Sequence, residues 1–152
     1  MIFNVKSLKT VMDIVRVLPE MAPKDGVTHC DSNCFQVAER LGVGGIWAPL
    51  NDSTAMANDM IAHMDAHPEK FFKFSDHMKA WQLAAEGSLV FAARREAGHG
   101  HICPIYPSVG TVTSGHWKAQ VPYCSNVGIC NEVMGVNYAF GGLVQPDYYA
   151  VK

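Results

Sequence analysis

No apolar run in this 152-residue chain approaches the roughly 18 residues that a membrane-spanning helix needs. The N-terminal stretch "MIFNVKSLKTVMDIVRVLPEM" is apolar in part, but Lys6, Lys9, Asp13 and Arg16 interrupt it at helical spacing, so it lacks the continuous apolar region of a signal peptide. A basic cluster is missing too. The densest positive spot is Arg94-Arg95 and the formal net charge is −2, which excludes the charge footprint of a nucleic-acid binder. There is no internal repeat and no low-complexity tract, and with 49% hydrophobic and 17% charged residues the composition is that of one compact domain over residues 1–152. A regular cysteine framework is absent as well: five cysteines, at 30, 34, 103, 124 and 130, leave at least one thiol unpaired. Cys124 and Cys130 could still bridge.

What is present divides into two halves. Phe3, Leu8, Val11, Met12, Val15 and Leu18 recur close to i, i+3, i+4, i+7 and predict an amphipathic helix ended by Pro19. A second helix is predicted from about Cys30 to Gly42, with Cys30, Cys34, Val37, Ala38 and Leu41 on its buried face and Gln36, Glu39 and Arg40 on the other. After the glycine-rich turn "GVGGIWAPL", Asn51 to Thr54 offer N-caps for a third helix to about His67, ahead of Pro68. A fourth is predicted from Ser75 to Glu86, with Met78, Trp81, Leu83 and Ala84 inward and Gly87 as its stop. Beyond Gly87 the period changes. "SLVFAA", "GHICPIY", "TVTS", "HWKAQVPYC", "VNYAFG" and "YYAV" are short, β-branched and aromatic, and predict strands. Helices followed by an antiparallel sheet make an α+β domain, N-terminal helices packed on the sheet.

The stretch "THCDSNCFQVAERLG" carries the first chemical signal. A helix N-terminus stabilises a thiolate through its unpaired amides and dipole, and Cys30 falls there, whereas Cys34 lies one turn deeper. Amide hydrolysis by a thiol also needs a base that later protonates the leaving amine, a role suited to histidine. Among the seven histidines, His29 is adjacent to Cys30 but points elsewhere and shapes the rim, and His63 and His67 read as an exposed pair at a helix end. In "GHGHICPIY", Gly98 and Gly100 permit close backbone approach, and His101 opens an apolar strand able to hold an imidazole rigidly.

Taken in order, "HCDSNCFQVAERLGV", "TAMANDMIAHM", "AWQLAAEGSLVFAA", "GHGHICPIYP", "VPYCSNVGI" and "VNYAFGG" resemble the successive blocks of papain-like, NlpC-type peptidoglycan amidases. Within that group the chain is most similar to the small type VI secretion amidase effectors and related cell-wall hydrolases, over about residues 26 to 151. The resemblance implies a papain-like NlpC-type fold and a cysteine peptidase that cuts the peptidoglycan stem peptide at the D-glutamyl–diaminopimelate or cross-link bond. It implies Cys30 as nucleophile, His101 as base and Asn126 as the group orienting the imidazole, with Ser125 as the alternate. His29, Asp31, Trp47 and Ser125 are the substrate-binding candidates, Trp47 being the foremost of the three tryptophans for a groove wall. No cofactor and no metal is expected. The expected partners are the peptide substrate and a cognate immunity protein, with synthesis in the bacterial cytoplasm without a signal peptide and delivery to the periplasm or cell wall of a target cell.

Departures from the family pattern leave alternatives. Asp31, Ser32, Asn33 and Cys34 replace the usual small residue and aromatic after the nucleophile, and "NCF" is similar to a related acyltransferase group in which Cys34 would attack. A zinc-binding module would draw on His29, Cys30, Cys34, His99, His101 and Cys103, although their spacings fit no standard finger. A catalytically inactive interaction protein is the other rival.

Overall fold

In the computed structural model, residues 1–98, 100–141 and 144–152 are described; His99 of the candidate zinc set and Gly142 of "VNYAFGG" lie outside them. The chain is α+β. A four-stranded antiparallel sheet has the order β1 (Phe71–Phe74), β8 (Asp147–Val151), β2 (Val90–Arg94), β3 (His101–Pro104). Two small antiparallel pairs complete the strands: β4 (Val112–Ser114) with β5 (Ala119–Val121), and β6 (Tyr123–Asn126) with β7 (Glu132–Gly135).

Because successive side chains of a strand point to opposite faces, both faces of the main sheet are apolar and both are covered. Phe91, Ile102, Tyr149 and Val151 face one core, shared with helices α1 (Val5–Arg16), α2 (Cys30–Arg40) and α3 (Ala57–Ala66). Val90, Ala92, Cys103 and Tyr148 face a second core, closed by α4 (His77–Ala85), Trp117, Val121 and Cys124.

The first two helices form where the apolar spacing puts them. In α1, Leu8, Met12 and Val15 are fully buried, each stabilising the fold by roughly 1.5–3 kcal/mol, and Asn4 caps the start by accepting the Ser7 amide at 3.1 Å. Helix α2 buries Cys30, Cys34, Val37 and Ala38 and ends before Gly42, whose φ of +79° suits glycine. Gly87 ends α4 at φ +104°, and its carbonyl accepts the Phe3 amide at 2.8 Å, so the turn also anchors the N-terminal segment.

Elsewhere the elements differ from expectation. Residues 51–54 form a turn, not the head of a helix: α3 starts at Ala57 after Met56, whose amide is held by Asp59 at 2.9 Å. Within α4 the buried positions are Ala80 and Ala84, whereas Met78 is exposed. Strand β1 interrupts the region read as wholly helical, and "VNYAFG" folds as helix α5 (Val136–Phe140), because Val136 buries itself and its amide bonds to the Pro122 carbonyl at 3.0 Å. His63 is buried, not exposed, with Nε2 2.7 Å from the Ile46 carbonyl oxygen. Trp47, expected in a groove wall, is 1% exposed; the 3-10 turn Gly44–Trp47 folds its indole inward against Phe35, Phe71 and Phe91, with ring centroids 5.6, 5.6 and 5.2 Å away.

Trp47→Ala is therefore expected to cost about 3–5 kcal/mol of stability, read from urea denaturation. A loss under about 1 kcal/mol would place the ring outside the core.

Candidate active site

Strand β3 ends the four-stranded sheet, and the first turn of α2 packs beside it. His29 precedes α2 as its N-cap and makes no side-chain capping bond, and the Asp31 and Ser32 amides instead bear on the Asp31 carboxyl. Three amides act on the Cys30 thiol: those of Ile102, from β3, and of Asp31 and Cys30 itself. The thiol thus abuts the residue next to His101. Both Cys30 and His101 line one cavity of about 650 Å³, together with Asp31, Glu96 and Asn126.

His101 is fixed from two sides. Its Nε2 lies 2.7 Å from Asn126 Oδ1 on β6, and its ring meets Phe140 of α5 edge-on, with centroids 5.0 Å apart. Asn126 cannot turn its amide over without loss, because its Nδ2 donates to the Cys130 carbonyl at 2.8 Å. Oδ1 must therefore accept from Nε2, which leaves Nδ1 of the neutral ring free to take a proton. The turn that presents the Cys130 carbonyl is pinned in its own right. Asn131 accepts the Gly128 amide at 2.9 Å and donates to the Met21 carbonyl at 2.8 Å.

The electrostatics depart from a thiolate held ionised at rest. Burial, reinforced by the Asp31 charge, pushes the Cys30 thiol up to about 11, and the three amides only partly offset this. Burial likewise lowers the His101 pKa, against the raising effects of the Asn126 hydrogen bond and Glu96. Both shifts favour the uncharged forms, a thiol at Cys30 and a neutral imidazole at His101. Asp31 itself is half-buried, and its carboxyl is raised, chiefly by desolvation.

The other sequence-derived candidates lie elsewhere. His29 is half-buried at the head of α2 and outside the cavity wall. Ser125 is fully buried on β6, where its hydroxyl accepts from Arg16 Nη1 at 2.8 Å and its carbonyl accepts from Asn33 Nδ2 at 3.1 Å. It joins β6 to α1 and α2. Trp47 is in the core, away from the cavity. Cys34 is fully buried off the cavity, and burial raises its pKa well above the ordinary value. Cys124 and Cys130 are both free thiols, one buried and one exposed. Of the zinc set, Cys34 and Cys103 sit in the two cores, and among the described residues no three His, Cys, Asp or Glu side chains are grouped to hold a metal ion.

Sequence reasoning missed the rim. Met56, Ile129 and Tyr138 border the cavity while more than half exposed, and Cys130 contributes an exposed thiol. Large apolar side chains left in solvent around a cavity are a signal of contact with something, but no spacing in the sequence separates them from core residues.

A neutral resting pair has a measurable consequence. In a Cys130→Ser background, alkylation of Cys30 by iodoacetamide should rise about tenfold per pH unit from pH 7 towards about 11, without a neutral plateau. A plateau between pH 6 and 8 would show a thiolate–imidazolium pair instead. No protein-family model matches the chain, and no curated protein matches it either.

Proposed function

We propose that this chain is a cysteine hydrolase of the papain-like, NlpC type that cleaves amide bonds in the peptidoglycan stem peptide. The carrying observation is the convergence of Cys30, His101 and Asn126 on one open cavity, with Asn126 setting the imidazole tautomer. A cavity of about 650 Å³ offers room for a peptide segment, and its apolar rim suits the methyl groups of a stem peptide.

In this reading His101 Nδ1 takes the Cys30 proton as the sulfur attacks the carbonyl carbon, so the ion pair exists only during reaction. The amides of Cys30 and Asp31, at the positive end of α2, stabilise the developing oxyanion. Collapse expels the amine, which leaves with the proton from His101. Water then gives a proton to His101 and its hydroxide equivalent to the acyl carbon, releasing the acid and restoring the thiol. The D-glutamyl–diaminopimelate bond or a cross-link bond is the proposed target, with delivery to a target cell's periplasm or wall and a cognate immunity protein as partner. The full burial of Cys34 favours Cys30 as the attacking sulfur.

Digestion of purified muropeptides, followed by mass spectrometry, tests this. New fragments are expected from the wild type, with Cys30→Ala and His101→Ala reduced by about 10³-fold or more and Asn126→Ala by roughly 10–100-fold. Cys34→Ala should retain activity. No fragments from folded, reduced protein would remove the proposal, and loss in Cys34→Ala with Cys30→Ala active would reassign the nucleophile. The pH profile follows from the neutral pair: His101 must be unprotonated to act, and its lowered pKa carries activity to more acid pH than an ordinary imidazole of pKa 6.5 would. An acid limb centred above 6.5 would contradict that assignment.

A further inference from the structure

Strand β6 pairs with β7 in a sheet of its own, and the backbone ties it to the chain after β3 near its start: Ile105 bridges to Cys124, and the Tyr106 amide donates to the Tyr123 carbonyl at 2.9 Å. Asn126, which orients His101, stands at the far end of that strand. There β6 is gripped through Ser125, whose hydroxyl accepts from Arg16 Nη1 at 2.8 Å and whose carbonyl accepts from Asn33 Nδ2 at 3.1 Å. Asn33 follows Cys30 by three residues in α2, so the two share a side of the helix. The Ser125 carbonyl belongs to the peptide unit that leads into Asn126. One buried amide therefore links the helix carrying Cys30 to the peptide plane from which Asn126 departs.

Asn33 has zero exposure, and its Oδ1 has no hydrogen-bond partner among the described residues. An unsatisfied buried acceptor disfavours the fold, and an apolar side chain of similar volume would remove that cost. Packing of α2 is already supplied by Cys34, Val37 and Ala38, each fully buried in the first core. Stability gives no reason for an amide here. Direction does, because apolar contact tolerates sliding whereas a hydrogen bond fixes a length and a line between donor and acceptor. Nor can the amide be turned over, since Oδ1 would then face the Ser125 carbonyl, acceptor against acceptor.

We propose that Asn33 is a positioning residue: its bond to Ser125 sets where Asn126 stands relative to α2, and through Asn126 it fixes the His101 tautomer that leaves Nδ1 unprotonated. The consequence for turnover rests on the hydrolase reading above; the consequence for the imidazole does not.

Long-range proton–nitrogen NMR of the full chain labelled with 15N-histidine, at about pH 8 where the ring is neutral, reads the tautomer directly. His101→Ala assigns the signals. The wild type should show one form of His101, with the proton on Nε2. In Asn33→Leu the two ring-nitrogen signals should move towards each other as the second tautomer is populated, and Asn33→Ala makes the same comparison if the leucine variant does not fold. Val37→Ala, which loosens the core face of the same helix, should melt lower and keep the wild-type pattern. The wild-type pattern kept in a folded Asn33 variant, or lost equally in Val37→Ala, would overturn the proposal. On muropeptides, Asn33→Leu should lower kcat by roughly 10–100-fold with KM within about twofold. A raised KM with kcat unchanged would make Asn33 a substrate-binding group and overturn the assignment. Absence of cleavage by the wild type would strike the hydrolase reading alone, because the tautomer is read without turnover.

Discussion

The outer edge of β3 meets the first turn of α2, and there the Ile102 amide acts on the Cys30 thiol. This contact sets the geometry of the cavity. An edge strand presents amides and carbonyls that must find partners, and a helix end presents amides in need of the same. Cys30 stands at their junction, where amides from both elements lower its thiol pKa against the effect of burial. His101 is the preceding residue on that strand, so the thiol and the imidazole come to one cavity through two adjacent residues of β3. The packing of α2 on the sheet, with Phe35, Val37 and Ala38 in the first core, holds the helix end in place.

Burial at that junction also disfavours the charged form of Cys30. Removing a thiolate and an imidazolium from water is penalised more than their mutual attraction returns unless donors complete the site. Here three amides partly offset the penalty at sulfur, and the outcome still favours the neutral thiol. The helix N-terminus thus does not maintain a standing thiolate. In the proposed hydrolysis its value would lie in the reaction, when negative charge passes from sulfur to the carbonyl oxygen and preorganised amides are already in position. Asp31 acts in the opposite sense, raising the Cys30 pKa and favouring the protonated thiol.

Much of this was legible in the sequence where one local rule acted alone. The stripe of Leu8, Met12 and Val15, the placement of Cys30 at a helix start and His101 at the head of a strand all follow from period and capping, and the structure places them so. Legibility failed where tertiary contacts overrode local preference. "FFKF" is too short for its period to separate strand from helix, and becomes β1 only by pairing with β8. "VNYAFG" has strand-forming residues, yet its Val136 amide is taken by Pro122 and the segment coils into α5. Trp47 sits in a glycine-rich turn, which argues for the surface, but Phe35, Phe71 and Phe91 come from three separate elements to enclose it. Asn126 could be named only through a family resemblance, since nothing in "YCSNVG" distinguishes an imidazole-orienting amide from a turn residue.

The groups behind Asn126 show why the remainder was out of reach. Asn126 is aimed by the Cys130 carbonyl, the loop carrying that carbonyl is tied through Asn131 to Met21, and the neighbouring Ser125 is tied through Arg16 to α1. Arg16 is itself held by Asp13 at 2.7 Å, and Asp13 also accepts from Tyr106 at 3.1 Å. The bonds from Arg16 to Ser125, from Asn131 to Met21 and from Tyr106 to Asp13 join residues about a hundred positions apart and leave no spacing pattern. Chemically, the consequence is that the orientation of one imidazole depends on the first helix and the turn after it. The N-terminal segment, which the family resemblance leaves uncovered, is therefore a structural support of the cavity rather than an appendage to it.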